Sequence, residues 1–197
     1  MYYSDQAIIL TRKIWREDDL LITAYSENFG KLILQARGGK KILSKLAGHL
    51  EPVSLSYLNM VRGKNIDQLI GAEVLDGYWS VKQSINRIVA AGWLVNLINK
   101  MVLEKHPDRR MFFLIKHYLD FLNRNENNID LASLAVGFKL WHLLGLNPSL
   151  KQARWQREIE FVVKNGLADI FKNKTIVNQK EAFKQILAQE IKEHLNN

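Results

Sequence analysis

The stretch Leu32–Leu55, LILQARGGKKILSKLAGHLEPVSL, decides how the first half of this chain reads. It opens as an apolar run and closes into PVSLSYLNMV, where Val53, Leu55 and Tyr57 alternate with Ser54, Ser56 and Leu58. A period of two is the mark of a strand with one face buried. Between the two runs stand the pair Gly38-Gly39, the lysines Lys40, Lys41 and Lys45, and SKLAGHL. The last of these reads as one or two helical turns with Ser44 as N-cap.

The flanks extend the pattern. Upstream, QAIILTRKIW is rich in β-branched residues, and LLITAYSE alternates Leu21, Thr23 and Tyr25 with Ile22, Ala24 and Ser26. ENFGK joins LLITAYSE to KLILQAR as a turn, with Asn28 and Gly30 suited to positive φ. Downstream, RGKN is a hairpin turn and IDQLIGAEVL a fifth strand, whose Gly71 suggests a bulge or a bend at a barrel corner. Three strands, a short helix and two strands is the order of a five-stranded OB-fold barrel.

From about Trp79 the period becomes helical. Val81, Ile85, Ile88, Val89 and Trp93 form one apolar stripe, the expected core face of a first long helix. Pro107 stands near the start of a second, where a helix tolerates it. Asp130 is the expected cap of LASLAVGFKLWHLLG, which closes at Gly145. IEFVV suits either a short strand or a helix. The last segment spaces Phe183, Ile186, Leu187, Ile191 and Leu195 as a helix. The expected fold is therefore α+β: an OB-fold barrel over 1–78, then an all-helical domain over 79–197. The short boundary, LDGYW, predicts that the two pack together.

Composition narrows the chemistry. The 197 residues contain no cysteine, which excludes disulfides, thiolate catalysis and cysteine-ligated zinc. No secretory signal is expected, and the longest apolar run, Ile88–Val95, is far too short to span a bilayer. A soluble, cytoplasmic protein without a membrane partner is expected. The net charge is +8, which favours a polyanionic partner. Distribution matters more than the sum. From Lys31 to Lys64 there are seven basic residues, Lys31, Arg37, Lys40, Lys41, Lys45, Arg62 and Lys64, against the single acid Glu51.

A Gly-Gly turn with lysines, taken alone, reads as a solvated loop. Clustered with Arg37, Arg62 and Lys64 it reads as a phosphate-binding surface, because affinity for a nucleic acid grows with the number of phosphates neutralised. Gly38 and Gly39 would let the backbone approach the strand closely. Arg12 and Lys13 extend the surface. Trp15, Tyr25, Phe29 and Tyr57 are the barrel aromatics, and Phe29, in a turn, is the expected base-stacking residue. Nothing suggests catalysis or a cofactor. There is no Walker loop, dinucleotide fingerprint or nucleophile elbow, and the five histidines lack metal-binding spacing. Glu17, Asp18 and Asp19 read as a solvated turn. Trp141 and Trp155 read as core, with a partner's aromatic pocket as the alternative.

In their order, these segments resemble the RecO family of bacterial recombination mediators. The matching features are Glu17, Asp19, Leu21 and Thr23; the Phe29-Gly30-Lys31 turn; the basic Gly-rich segment leading to Ser44, Leu46, Leu50 and Pro52; and KLWHLLGLNPSL in the second domain. The resemblance implies an OB-fold followed by helices, binding of single- and double-stranded DNA, and annealing of complementary strands. It further implies work with RecR to load RecA onto DNA coated by single-strand binding protein (SSB), whose C-terminal tail is a partner, and association with the nucleoid. One departure is plain. Many relatives carry a four-cysteine zinc site where this chain reads KQARWQREIEFVVKNGLADIF, so zinc is not expected, and Trp155 and Phe161 are expected to hold the region instead. The chain is also short at its C-terminus against the family, so partner contacts that relatives make there are not expected to transfer directly. Two other readings stand beside this one: an adaptor whose helical domain binds RecR or the SSB tail, and an RNA-binding OB-fold protein of translation.

Overall fold

In the computed structural model the described residues are 1–39, 47–146 and 153–195. Five strands, β1 (Tyr2–Trp15), β2 (Asp19–Ser26), β3 (Gly30–Ala36), β4 (Ser54–Val61) and β5 (Asp67–Asp76), close into a barrel in the order β1-β2-β3-β5-β4. Every pairing is antiparallel except β3 with β5, which meet in parallel at Leu34–Asp67 and Gln35–Gln68. This is the five-stranded OB-fold that the strand order predicts. β1 is longer than expected, since its first residues, Tyr2–Asp5, pair with the far end of β4. The ladder of β5 on β4 slips near Gly71, between Asn59 and Met60, which fits the bulge expected there.

Alternation explains how the barrel fills and what covers it. Ala7 and Ile9 of β1, Leu20, Ile22 and Ala24 of β2, Leu32 and Leu34 of β3, and Leu58 and Met60 of β4 face the interior and are buried. Ile8, Tyr25 and Leu55 face outward, and with Leu10 and Val53 they are buried just as fully. A strand buried on both faces needs a second layer. Here that layer is the helical half, whose core is continuous with these five residues.

Among the described residues the α-helices are α1 (Trp79–Lys82), α2 (Ile85–Met101), α3 (Arg109–Arg124), α4 (Ile129–Leu143), α5 (Gln156–Lys164), α6 (Leu167–Lys172), α7 (Lys174–Asn178) and α8 (Lys180–Leu195). α4 buries residues all round, from Leu131 to Trp141, as a central helix must. It ends as its Gly145 suggests: Gly145 has φ +75°, and the Leu146 amide donates to the Trp141 carbonyl at 2.9 Å. IEFVV lies within helix α5 and is not a strand. Trp141 is buried. Trp155 and Phe161 pack against the same core, Trp155 with its ring centroid 5.1 Å from that of Phe183.

Two helical expectations need correction. The buried side of α2 is Ala90, Ala91, Leu94, Val95, Leu97 and Ile98, while Ile85 and Val89 are 81% and 65% exposed. Of the predicted stripe, Val81 is fully buried and Ile88 and Trp93 pack against the core, while Ile85 and Val89 face outward. Where α2 meets α4, Trp93 lies against Gly137, at which an added Cβ would stand 3.1 Å from the indole ring. Nor does Asp130 cap α4. The N-cap is Asn128, at φ +60°, and Asp130 sits in the first turn, where its carboxylate accepts from Lys184 at 3.0 Å and Lys180 at 3.5 Å. That arrangement ties α8 to the start of α4.

The barrel is strapped to the helices at the β2–β3 turn. Gly30 has φ +71°, and the segment between α2 and α3 crosses directly over it at His106 and Pro107. The Lys105 amide donates to the Lys31 carbonyl at 2.9 Å, and the Tyr25 hydroxyl donates to the Asp108 carbonyl at 3.2 Å. Buried Glu27 accepts from Gln6 and from Arg109 of α3. Among the described residues, no helix is long and apolar enough to cross a membrane.

Candidate nucleic-acid interface

A register shift in β1 builds the site. Ile9 pairs with Ala24, but the next pair is Thr11 with Thr23, so Leu10 is a bulge. β4 pairs with β1 only as far as Ile9. Beyond the bulge, Thr11–Trp15 and Asp19–Thr23 continue as a two-stranded ribbon that leaves the β4 edge behind. Bulges bend and re-aim strands in this way.

Directly paired residues on neighbouring strands face the same side. Trp15–Asp19, Lys13–Leu21 and Thr11–Thr23 pair across the ribbon. Leu21–Gln35 and Thr23–Ile33 pair onto β3, and Gln35–Gln68 onto β5. Ile22 and Leu20, the residues between, point into the barrel. So Lys13, Trp15, Leu21, Thr23, Ile33, Gln35 and Gln68 share one outer face. It is a half-apolar floor with an exposed Trp15, and Lys13 and Arg37 are exposed at its margins.

A chain of hydrogen bonds crosses this face. Gln68 Nε2 donates to Gln35 Oε1 at 2.9 Å, and Gln35 Nε2 to Asp19 Oδ2 at 2.6 Å. The Gly38 amide donates to Asp19 Oδ1 at 2.9 Å. The Gly38 amide, and after it the Gln35 side chain, hold the Asp19 carboxyl below its usual range. A carboxyl depressed in the folded state stabilises the fold above its unfolded pKa, about 3.9, and loses that contribution as pH falls through the lower folded value. Acid unfolding of Asp19→Asn is therefore expected to lose part of its dependence below about pH 4. Urea midpoints measured between pH 2 and pH 6 check this, and curves parallel to the parent's would contradict it.

The predicted residues fall into separate groups. Lys13 and Arg37 lie on the shared face. Arg12 projects from the other side of the ribbon, 2.8 Å from Glu51. Arg62 and exposed Lys64 lie in the β4–β5 turn; Arg62 is over the Tyr3 ring and 3.7 Å from Asp67. Lys40, Lys41 and Lys45 lie outside the described residues, as does Ser44.

Three expectations are corrected. Lys31 is buried, with Nζ donating to the Asn99 carbonyl at 3.0 Å, and burial pulls its pKa down; it fastens β3 to α2 and presents no charge to a strand. Phe29 is half-buried, edge-on to Tyr3 at 4.9 Å, and is absent from the open face. The two glycines do not leave free amides for a phosphate. Gly38, at φ +62°, gives its N–H to Asp19, and buried Gly39 donates to the Ala36 carbonyl at 3.3 Å.

Of the four barrel aromatics Trp15 and Tyr57 are both 43% exposed, and Trp15 is the one on the face shared with Lys13, a distinction that alternation alone does not make. Arg16, exposed at the ribbon tip with φ +60°, is a further cation that sequence reading missed. Its position in a tight turn is the signal that would have found it. Among the described residues no group of three or more acids and histidines is placed to hold a metal ion. Without cysteine, the chain cannot supply a four-thiolate zinc site.

Comparison with known proteins shows the family. The family model "Recombination protein O N terminal" matches residues 1–78, and "Recombination protein O C terminal" matches 82–161. A DNA repair protein RecO of Desulforamulus reducens is 29% identical over 148 residues, covering 75% of this chain and 57% of its own. Its namesake in Roseiflexus sp. is 31% identical over 148 residues, covering 75% and 52%, and that of Syntrophus aciditrophicus 29% over 153, covering 75% and 58%. The chain thus spans between half and three-fifths of the length of these relatives. With both halves matched in order on a closed five-stranded barrel followed by helices, the chain belongs to the RecO family.

Proposed function

We propose that this chain is a DNA repair and recombination mediator without catalytic activity of its own, and that it binds DNA across the outer face of β1, β2 and β3. One observation carries the reading: the bulge at Leu10 sets Lys13 and exposed Trp15 on the same face as Leu21, Thr23 and Gln35, with Arg37 at its margin. Cations at the margin hold phosphates, and an aromatic on the floor stacks a base without reading sequence. Both single- and double-stranded DNA present the phosphates. Two strands held on one basic surface repel each other less, so annealing follows from screening. Work with RecR in loading RecA onto SSB-coated DNA is proposed from family membership.

A second reading is favoured by a groove of about 710 Å³ between α2 and the start of α4, lined by Val89, Trp93, Asn128, Ile129, Val177 and Lys180. Its exposed apolar residues suit apolar side chains of a partner such as RecR or the SSB tail, which would make the helical half an adaptor; Glu126 and Asp130 beside Lys180 mean that apolar contact, not charge, would carry it.

The test is fluorescence anisotropy of labelled single-stranded DNA at several salt concentrations. Lys13, Arg16 and Arg37 alone predict a log affinity that falls with log salt at a slope of about 2, each phosphate contributing roughly 0.7. A slope near zero with weak binding would overturn the barrel-face reading in favour of the adaptor. A preference for structured RNA would favour a translation role.

A further inference from the structure

At the end of the barrel away from the ribbon lies a small cavity of about 140 Å³. Its walls come from both halves of the chain: Tyr3, Phe29, Leu32 and Arg62 from the barrel, Lys105 and Pro107 from the segment before α3. We infer that this cavity holds one nucleotide, with its base against Phe29 and its phosphate between Arg62 and Lys105. The inference rests on reading the barrel as a nucleic-acid-binding surface and adds a second, distinct subsite to it.

The chemistry of the walls points to this ligand. Phe29 and Tyr3 meet edge to face, 4.9 Å between centroids, and Arg62 covers the Tyr3 ring, so Phe29 beside Leu32 is the ring a base would meet. The volume is small for a drug-sized ligand and suits a single ring with its phosphate at the mouth. Asp67 is already engaged: its carboxylate accepts from the Tyr3 hydroxyl at 2.6 Å and the Gly63 amide at 3.1 Å. It sits 3.7 Å from Arg62, which is half exposed and keeps part of its guanidinium toward the opening. Arg62 and Lys105 against Asp67 leave the site with a net positive charge.

Lys105 adds an independent sign. It is a non-glycine residue at φ +60°, and its own amide is fastened to the Lys31 carbonyl. Strained backbone of this kind gathers where a side chain must be presented at a defined place. A purely structural turn there would be better served by glycine. Asp67 and Gln68 are neighbours on β5, and Gln68 begins the hydrogen-bonded chain that crosses the open face. Successive strand residues point to opposite sides, so the cavity is a separate subsite at the barrel end, one that a strand leaving the open face past Gln68 would enter.

The experiment titrates the full chain with thymidine 5′-monophosphate, thymidine and inorganic phosphate while recording amide chemical shifts. The monophosphate is expected to shift residues 28–32, 62–67 and 105, and to bind at least tenfold more tightly than thymidine or phosphate alone. Phe29→Leu should weaken it roughly tenfold through lost stacking. Lys105→Gly should weaken it about fivefold or more while the unfolding midpoint stays level or rises, because glycine relaxes the backbone. A merely structural Lys105 would leave affinity unchanged, and that result, or shifts that map elsewhere, overturns the proposal. Competition by a thymidine oligonucleotide assigns the nucleotide to a strand, and its absence assigns a free nucleotide. Lys13→Glu with Arg37→Glu separates the two readings. Loss of oligonucleotide binding in that variant, with no monophosphate binding to the parent, sinks the cavity and leaves the open face standing.

Discussion

Gly30→Ala is expected to destabilise the protein by about 4 kcal/mol, the largest single effect expected of any substitution considered. Two costs combine. At φ +71° any L-residue other than glycine is strained, by roughly 1–2 kcal/mol. A Cβ at this position would also stand 2.5 Å from the His106 carbonyl oxygen and 2.9 Å from the Pro107 nitrogen. Both are backbone atoms, so no rotamer change relieves the clash, and the segment before α3 must lift. Lifting it loosens the Lys105–Lys31 and Tyr25–Asp108 hydrogen bonds that strap barrel to helices. Gly145→Ala is the control: φ is +75° there, but open space surrounds the added carbon, so only the backbone cost of about 1 kcal/mol is expected. Urea unfolding of the two variants measures the difference, and equal midpoints would show that the crossing over Gly30 is not tight.

The second large effect is on DNA. Reversing two cations of the open face, Lys13→Glu with Arg37→Glu, is expected to weaken single-stranded DNA binding about 60-fold at 50 mM salt, counting only the counterions no longer released by two phosphate contacts. Repulsion by the new carboxylates adds to that. Both side chains are exposed, so the fold should hold to within about 0.5 kcal/mol. The salt slope should fall by about 1.4. Trp15→Ala offers a contrast within the same face, since lost stacking lowers affinity with little change in slope. Anisotropy titrations across a salt series separate the two signatures. Unchanged affinity in the double variant would remove the proposed face.

The sequence by itself determined the order of elements. Strands, turns and helices are written in short-range patterns: alternation in PVSLSYLNMV, Gly30 and Gly63 in turns, Pro107 before a helix, Gly145 after one. It also determined that thiolate zinc is impossible and that the barrel carries an excess of positive charge beyond Lys31. What it left open is which side of each element meets what. β1 is buried on both faces along Ile8–Leu10, so its alternation does not distinguish the barrel interior from the helical layer. Lys31 belongs to the basic stretch by position, yet tertiary packing turns it onto the Asn99 carbonyl. The stripe chosen by hydrophobicity divides: Val81, Ile88 and Trp93 meet the core, while Ile85 and Val89 face outward and Ala90 and Ala91 are buried in their stead. Trp15 and Phe29 exchange roles for a related reason. The bulge at Leu10 carries Trp15 into solvent, while the segment after α2 folds down over the Phe29 turn. Local pattern is set by neighbours in the chain, whereas exposure is set by residues far along it, and a binding face is made of exposure.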